Sequence, residues 1–251
     1  MNNFIVNGLK LPNDTLEIID TDDKYHRIDN FHLKFNKAVY FVNGKPCIFK
    51  KNRNNIEFQI KANFNIVADF VKVVSKRQSK FIEDLNIQSK SFTFSPDWRL
   101  IVGLGNESVY ETSMTLHYIY GIPYIPGQAI KGAVRSWIIT EVFKGNEDDA
   151  LEDEGFRIIF GGPKKGELKE RKGSVFFFDA FPTSVPQIKP DVMNPHYSEY
   201  YSGNNKPPAD YFNPRPVYFL TVENTKFRFI VGIKEKDNGE ITVERTMDEF
   251  K

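Results

Sequence analysis

Residues 124–136 read Tyr124-Ile125-Pro126-Gly127-Gln128-Ala129-Ile130-Lys131-Gly132-Ala133-Val134-Arg135-Ser136, a Pro-Gly break directly before a run with helical spacing. Ala129, Ile130, Ala133, Val134, Trp137 and Ile138 share one helical stripe, which predicts a helix from Gln128 to about Phe143, ended by Lys144-Gly145. Lys131 and Arg135 stand four residues apart and share a face. The unsatisfied N–H groups and the dipole at such a helix start favour an anion. Gly127 and Gly132 would let another backbone come close. Together these features describe a phosphate seat, although the glycine spacing is not that of a P-loop. On physics alone, a Lys/Arg pair on a helix is more often a solvated face.

The pattern extends outward from this helix. Residues 97–102 read as a strand ending in Gly103-Leu104-Gly105, followed by a loop carrying Tyr118, Tyr120 and Tyr124. Residues 38–49 suggest a short hairpin around Asn43-Gly44. Val67, Phe70, Val71 and Val74 predict a helix over 66–85 that buries one face and shows Lys72, Lys76, Arg77 and Lys80 on another. Downstream, an acidic stretch (147–154) and a Gly/Lys-rich segment (160–172) read as an inserted loop. Residues 173–181 form the clearest buried strand. A long loop follows to Asn213, then strands at 216–222 and 226–233, and a weak helical pattern begins at Ile241.

The chain has 251 residues and a formal net charge of +1, enough length for a substantial core. Its 14% aromatic content is not that of a disordered chain. The single cysteine, Cys47, excludes an internal disulfide framework and any multi-cysteine zinc site. The start, Met1-Asn2-Asn3-Phe4, lacks the basic and apolar regions of a signal peptide, and no apolar run is long enough for a membrane span, so a cytoplasmic protein is expected. The charge is uneven. From Lys34 to Lys80 there are eleven basic residues against Glu57 and Asp69 alone. Such asymmetry suggests a basic face for a polyanion, or simply solvated lysines.

Ile125-Pro126-Gly127-Gln128-Ala129-Ile130-Lys131-Gly132-Ala133-Val134-Arg135 resembles the first-helix motif of the RAMP superfamily of CRISPR RNA-binding proteins, with Gln128 where serine is common. Other stretches are similar to the sixth-subunit family of type III-B (Cmr) effector complexes, in the right order over 98–233. They are Gly103-Leu104-Gly105-Asn106, Glu111-Thr112, Leu116-His117, Tyr120-Gly121-Ile122-Pro123, Phe160-Gly161, Val175 to Pro182, Asp191-Val192-Met193-Asn194-Pro195-His196-Tyr197 and Pro214-Arg215-Pro216-Val217. The resemblance implies an α+β, ferredoxin-like (RRM-like) domain over 93–251, with insertions at 144–172 and 183–213, after an N-terminal extension (1–92) containing the basic helix. In that mapping strand one is 98–104, helix one 128–143, strand two 174–181, and the next pair 216–222 and 226–233; the loop 191–213 takes the place of a thumb that reaches across the guide. RAMP domains finish with a second helix, a glycine-rich loop and a last strand. No Gly-x-Gly follows Gly239, so an incomplete C-terminus is expected, with 98–104 left as an open edge and Phe219 or Phe229 uncovered.

The same resemblance implies a non-catalytic backbone subunit that binds CRISPR guide RNA and target RNA beside other Cmr subunits in antiviral defence, with no cofactor or metal. The alternative is a RAMP-type, metal-independent endonuclease that processes CRISPR RNA. The RNA-binding set would be Gly127, Gln128, Lys131, Arg135, Lys164, Lys165, Lys169, Arg171, Lys172, His196 and Tyr197. Each has a plainer reading. The lysine-rich segment could be an exposed loop, and Tyr197, Tyr200 and Tyr201 could stack bases or pack against a neighbour. His26, His32, His117 and His196 lack metal-ligand spacing; His117 and His196 read as structural more readily than catalytic. Asp179 closes an apolar strand with no paired acid, which favours a structural role.

Overall fold

The computed structural model describes residues 8–19, 28–42, 45–46, 49–51, 56–58, 67–195, 197–201, 203, 207, 214 and 216–234. In chain order their elements are β1 (Gly8–Leu9), α1 (Asn13–Ile19), α2 (Phe31–Asn36), β2 (Tyr40–Val42), β3 (Lys45–Pro46), β4 (Phe49–Lys51), β5 (Ile56–Phe58), α3 (Val67–Asp84) and β6 (Ile87–Phe94). Then follow α4 (Gly127–Glu141), α5 (Glu147–Glu152), α6 (Glu154–Phe160), β7 (Gly161–Gly162), β8 (Arg171–Lys172), β9 (Val175–Phe177), β10 (Phe181–Pro182), β11 (Gln187–Met193), α7 (Ser198–Tyr201), β12 (Val217–Glu223) and β13 (Phe227–Lys234). They form two compact units with interleaved segments, Met1–Val67, Pro96–Pro123 and Val185–Thr225 in one, and Ala68–Ser95, Tyr124–Ser184 and Lys226–Lys251 in the other.

In the first unit, β1, β2 and β3 form an antiparallel sheet, and Phe41↔Pro46 and Val42↔Lys45 realise the predicted hairpin; its turn, 43–44, lies outside the described residues. β11 and β12 pair over seven residues, from Gln187↔Glu223 to Met193↔Val217. β11 is a strand where the sequence suggests only a long loop. Pro190 hides it, because a proline interrupts the alternation, and it is tolerated on an edge strand where its missing N–H costs no ladder bond. The expected strand at 98–104 does not form. Only Leu100 pairs, exchanging two 2.8 Å bonds with Val222. Next to it Arg99 is clamped by Asp191 (3.1 Å) and Glu223 (3.4 Å), which ties the segment to both strands of the ladder. Helix α2 is capped by the Asn30 side chain, which also donates to the carbonyls of Tyr118 and Ile119. Gly121, at φ +64°, lies against Asn30 and the Phe31 amide, where any side chain would collide.

In the second unit β13 is the central strand. β6 pairs along its whole length on one side, from Phe227↔Phe94 to Lys234↔Ile87, and β9 and β10 pair on the other, all antiparallel. One rank beside β13 is thus filled by Ile87–Phe94. The strand predicted at 226–233 is there as β13, but its predicted neighbour β12 belongs to the other unit. β6 ends the sheet among the described residues. Phe92 and Phe94, about half exposed, cluster with Phe229, the Phe92 and Phe229 rings stacked at 5.2 Å. Phe229 itself is half-buried, and the segment from Ile241 lies outside the described residues.

Both faces of this sheet carry helices. On one, Ile82 of α3 packs with Ile87, Ile230 and Phe178. Val71 and Val74 of the predicted stripe are buried too. On the other, Val175 and Ile233 join Phe156, Ile159 and Phe160 of α6, with Val134, Ile138 and Ile139 of α4 packed against them. The inward face of α4 therefore differs from the predicted stripe: Ala129, Ala133 and Trp137 are exposed, Trp137 by 63%. The acidic stretch is helical rather than a loop. Asn146 caps α5 by accepting from the Asp148 and Asp149 amides, and three acids in its first turn suit the helix dipole. Asp153 caps α6 in the same way at 2.7 Å.

The lysine-rich segment is an ordered hairpin closed by β7 and β8 and pinned by Arg157, which is 4% exposed. Its guanidinium donates to the carbonyls of Leu151 (3.1 Å), Pro163 (3.1 Å) and Lys169 (2.6 Å). Truncating it leaves three inward carbonyls without their donor. Arg157→Ala is expected to cost about 3 kcal/mol in chemical denaturation and to speed amide exchange through residues 161–172. Unchanged stability would refute the anchor.

Candidate nucleic-acid interface

The helix start is built by a flaw in the strand beside it. Phe177 pairs with Val231 and Phe181 with Arg228, so four steps on this strand oppose three on β13. That extra residue is a bulge, and bulges re-aim side chains. Here Ala180 turns away to pair with Ile125 (3.0 and 2.8 Å), and the Asp179 carboxylate accepts the Gly127 N–H at 2.7 Å. The Ala129 and Ile130 amides both go to the Pro126 carbonyl. The Asp179 carbonyl in turn accepts from Gln78 of α3 at 2.7 Å. Burial and then the Asp179 charge push the Tyr124 phenol above its ordinary value.

At the phosphate seat expected from the motif, one backbone donor already has a partner. The anion at the helix start is the protein's own Asp179, so the Gly127 amide is in use. Gly127 is buried because the helix passes so close to the strand that a side chain would run into the Phe177 carbonyl; Gly132 has open space around it. Gln128 is exposed, and Lys131 is half-buried with no ion pair among the described residues. Arg135 is occupied. It pairs with Glu147 at 2.6 Å and lies 5.3 Å from the centre of the Phe156 ring, holding α4 to α5 and α6.

The hairpin divides the remaining basic residues. Lys165 binds Asp148 (3.0 Å) and Glu152 (3.1 Å), and the hydrogen bond to Asp148 raises its ammonium above the usual value. Lys164, Lys169 and Lys172 are exposed and Arg171 is half-buried. Tyr197 belongs to the other unit and is half-buried; His196 lies outside the described residues. Lys34, one of the eleven basic residues from 34 to 80, is 1% exposed, and burial lowers its ammonium, with Asp29 partly opposing.

Two histidines meet in the first unit. His117 stacks on Tyr120 at 4.2 Å and its Nδ1 accepts the Tyr120 amide. His32 is 6% exposed beneath Tyr118, and its buried Nδ1 has no hydrogen-bond partner among the described residues. Burial, then Lys37, then His117 lower the His32 imidazole below its usual 6.5. Among the described residues no cluster of His, Cys, Asp or Glu could hold a metal ion, and no helix is long and apolar enough to cross a membrane.

The RAMP superfamily profile matches residues 98–248, and the chain belongs to that superfamily. Within it, the chain is 30% identical to the CRISPR system Cmr subunit Cmr6 of Pyrococcus furiosus, over 80% of this chain and 75% of that one. It is 27% identical to Cmr6 of Saccharolobus solfataricus, over 82% of this chain and 66% of that one, just under two thirds of the relative's length. Among solved structures it resembles a chain of the type III-B Cmr-beta complex bound to cognate target RNA, at 27% identity and a TM-score of 0.51, covering 68% of this chain and 55% of that one.

Two tests follow from this geometry. Asp179→Ala removes a charge-assisted helix cap and is expected to cost about 1–2 kcal/mol, whereas Asp179→Asn keeps an acceptor and loses less; an Asp179→Asn variant as stable as wild type would deny the cap its charge. His32 binds fewer protons folded than unfolded, so its contribution is present above pH 6.5 and is lost as the pH falls towards its lowered folded value. The stability difference between wild type and His32→Gln should shrink from pH 7 to pH 5. A difference independent of pH would refute it.

Proposed function

We propose that this chain is a non-catalytic, RNA-binding backbone subunit of a type III-B (Cmr) effector complex, acting in CRISPR defence against foreign RNA beside other Cmr subunits. The observation that carries this reading is α4: the superfamily's first-helix motif, seated on an antiparallel sheet, leaves Gln128 exposed and Lys131 half-buried without an ion pair among the described residues, while Asp179 takes the Gly127 amide and Glu147 takes Arg135. The order β6, α4, β9–β10, β13, with β13 between the other two ranks, is the β-α-β-β order of a ferredoxin-like domain and supports that assignment. The similarity to Cmr6 and to a chain of an RNA-bound Cmr complex supports the partners.

Gln128, Lys131 and the exposed Lys164, Lys169 and Lys172 contact phosphate in this reading. Arg135, Lys165 and Gly127 hold the surface in shape. Among the described residues, the stacked His117 and the buried His32 form no accessible pair for general acid–base chemistry.

Binding of labelled guide RNA across a salt series tests this. Lys131→Ala should weaken binding most at low salt and lower the slope of log affinity against log salt by about 0.7, the loss of one phosphate contact on a single strand. No RNA should be cut, with or without divalent metal. Unchanged slope and affinity would remove Lys131 from the interface. Cleavage lost in His117→Ala would replace this reading with an endonuclease.

A further inference from the structure

Arg228 stands out for the company it keeps. It is half-buried at the start of β13, and its Nη1 donates to Ser75 Oγ (3.0 Å) and Ser79 Oγ (2.9 Å) of α3. Among the described residues it has no carboxylate partner, although half-buried cations normally have one. Two hydroxyls fix its direction but leave its charge uncompensated.

What surrounds it follows from register and helical geometry. Thr93 lies opposite Arg228 and Ser91 opposite Ile230, so both share the sheet face that α3 covers, as does Ser89 opposite Gly232. All three hydroxyl residues are exposed: α3 covers β13 and leaves β6 as an open shelf. Residues on a helix advance by about 100° each. From Ser75, Gln78 lies roughly 60° to one side, where it reaches the Asp179 carbonyl on the β9–β10 side. Lys72 and Lys76 lie roughly 60° and 100° to the other side, over β6. Both are exposed. The 3.4 Å Lys72–Asp69 pair is solvent-exposed on both sides and therefore weak, and Glu83 is the other acid on that flank, one turn beyond Ser79.

We propose that this shelf is a second RNA-backbone site, distinct from the α4 surface. The uncompensated Arg228 guanidinium and the Lys72 and Lys76 ammonium groups bind phosphates, and the Ser91 and Thr93 hydroxyls donate to phosphate or ribose oxygens. No base edge is read, so binding is independent of sequence. The site rests on the RNA-binding reading above and gives it a further surface, using the basic helix that the α4 interface leaves unexplained.

The test uses the full chain, a labelled oligouridylate and a mixed-sequence RNA of equal length, each over a salt series. Lys72→Ala/Lys76→Ala alters only exposed side chains. It is expected to lower the salt slope by about 1.4 and to weaken binding on the order of tenfold at low salt, equally for both RNAs. Arg228→Gln keeps a donor for the two serines and removes the charge; it should lower the slope by about 0.7 with the thermal transition unchanged. If wild type binds neither RNA, this site and the general reading both fall. If Lys131→Ala weakens binding while the α3 and Arg228 variants do not, the general reading stands and the shelf is overturned. Loss of association with a partner subunit at unchanged RNA affinity would also overturn it, by making the shelf a protein interface.

Discussion

The second unit depends on one contact, the Asp179 carboxylate on the Gly127 amide. A single extra residue in the strand opposite β13 produces the bulge that frees Asp179. The bulge lets Ala180 pair with Ile125, which delivers the chain to the helix start, and its Asp179 carbonyl receives Gln78 from α3. One irregular residue thereby fixes α4 on one side and α3 on the other. It also fills the place where a helix would otherwise attract an external anion. A motif that looks built around a ligand is, at Gly127, built around the protein itself.

Much of the fold was legible where a periodic pattern coincides with burial. The α3 stripe and the position of α4 follow from spacing, and β13 follows from its apolar run. What escaped has identifiable physical causes. β11 was hidden by Pro190. β6 alternates Ser and Thr with Lys and Phe and is exposed over nearly all its length, so nothing in its hydropathy marks it as the strand beside β13. Residues 98–104, more apolar and flanked by glycines, look like the better strand, yet Arg99 is held by two carboxylates and only Leu100 pairs.

The candidate site was legible in part, and the missing part is partner choice. Sequence gives the i, i+4 relation of Lys131 and Arg135 but not that Glu147 takes the second. Likewise, nothing in the lysine-rich segment distinguishes Lys165, neutralised by two acids of α5, from Lys164 beside it. Arg157 gave no signal at all, because an arginine hydrogen-bonded to three carbonyls has no spacing signature. Asp179 could be assigned a structural role by elimination, while its target could not be named.

β13 is the last described element of the chain and also the middle strand of its sheet. During synthesis, β6, β9 and β10 leave the ribosome with no strand between them to pair with, and Val175, Ile230 and Ile233 cannot come together until residues 227–234 have been made. The sheet cannot grow outward from an early hairpin. It closes in one late step, by insertion of a strand between two ranks made long before it. Topologies dominated by such distant pairings fold slowly and leave apolar strands waiting. In this chain, the interval between the emergence of Phe92 and that of Phe229 is therefore the period of greatest exposure to misassembly.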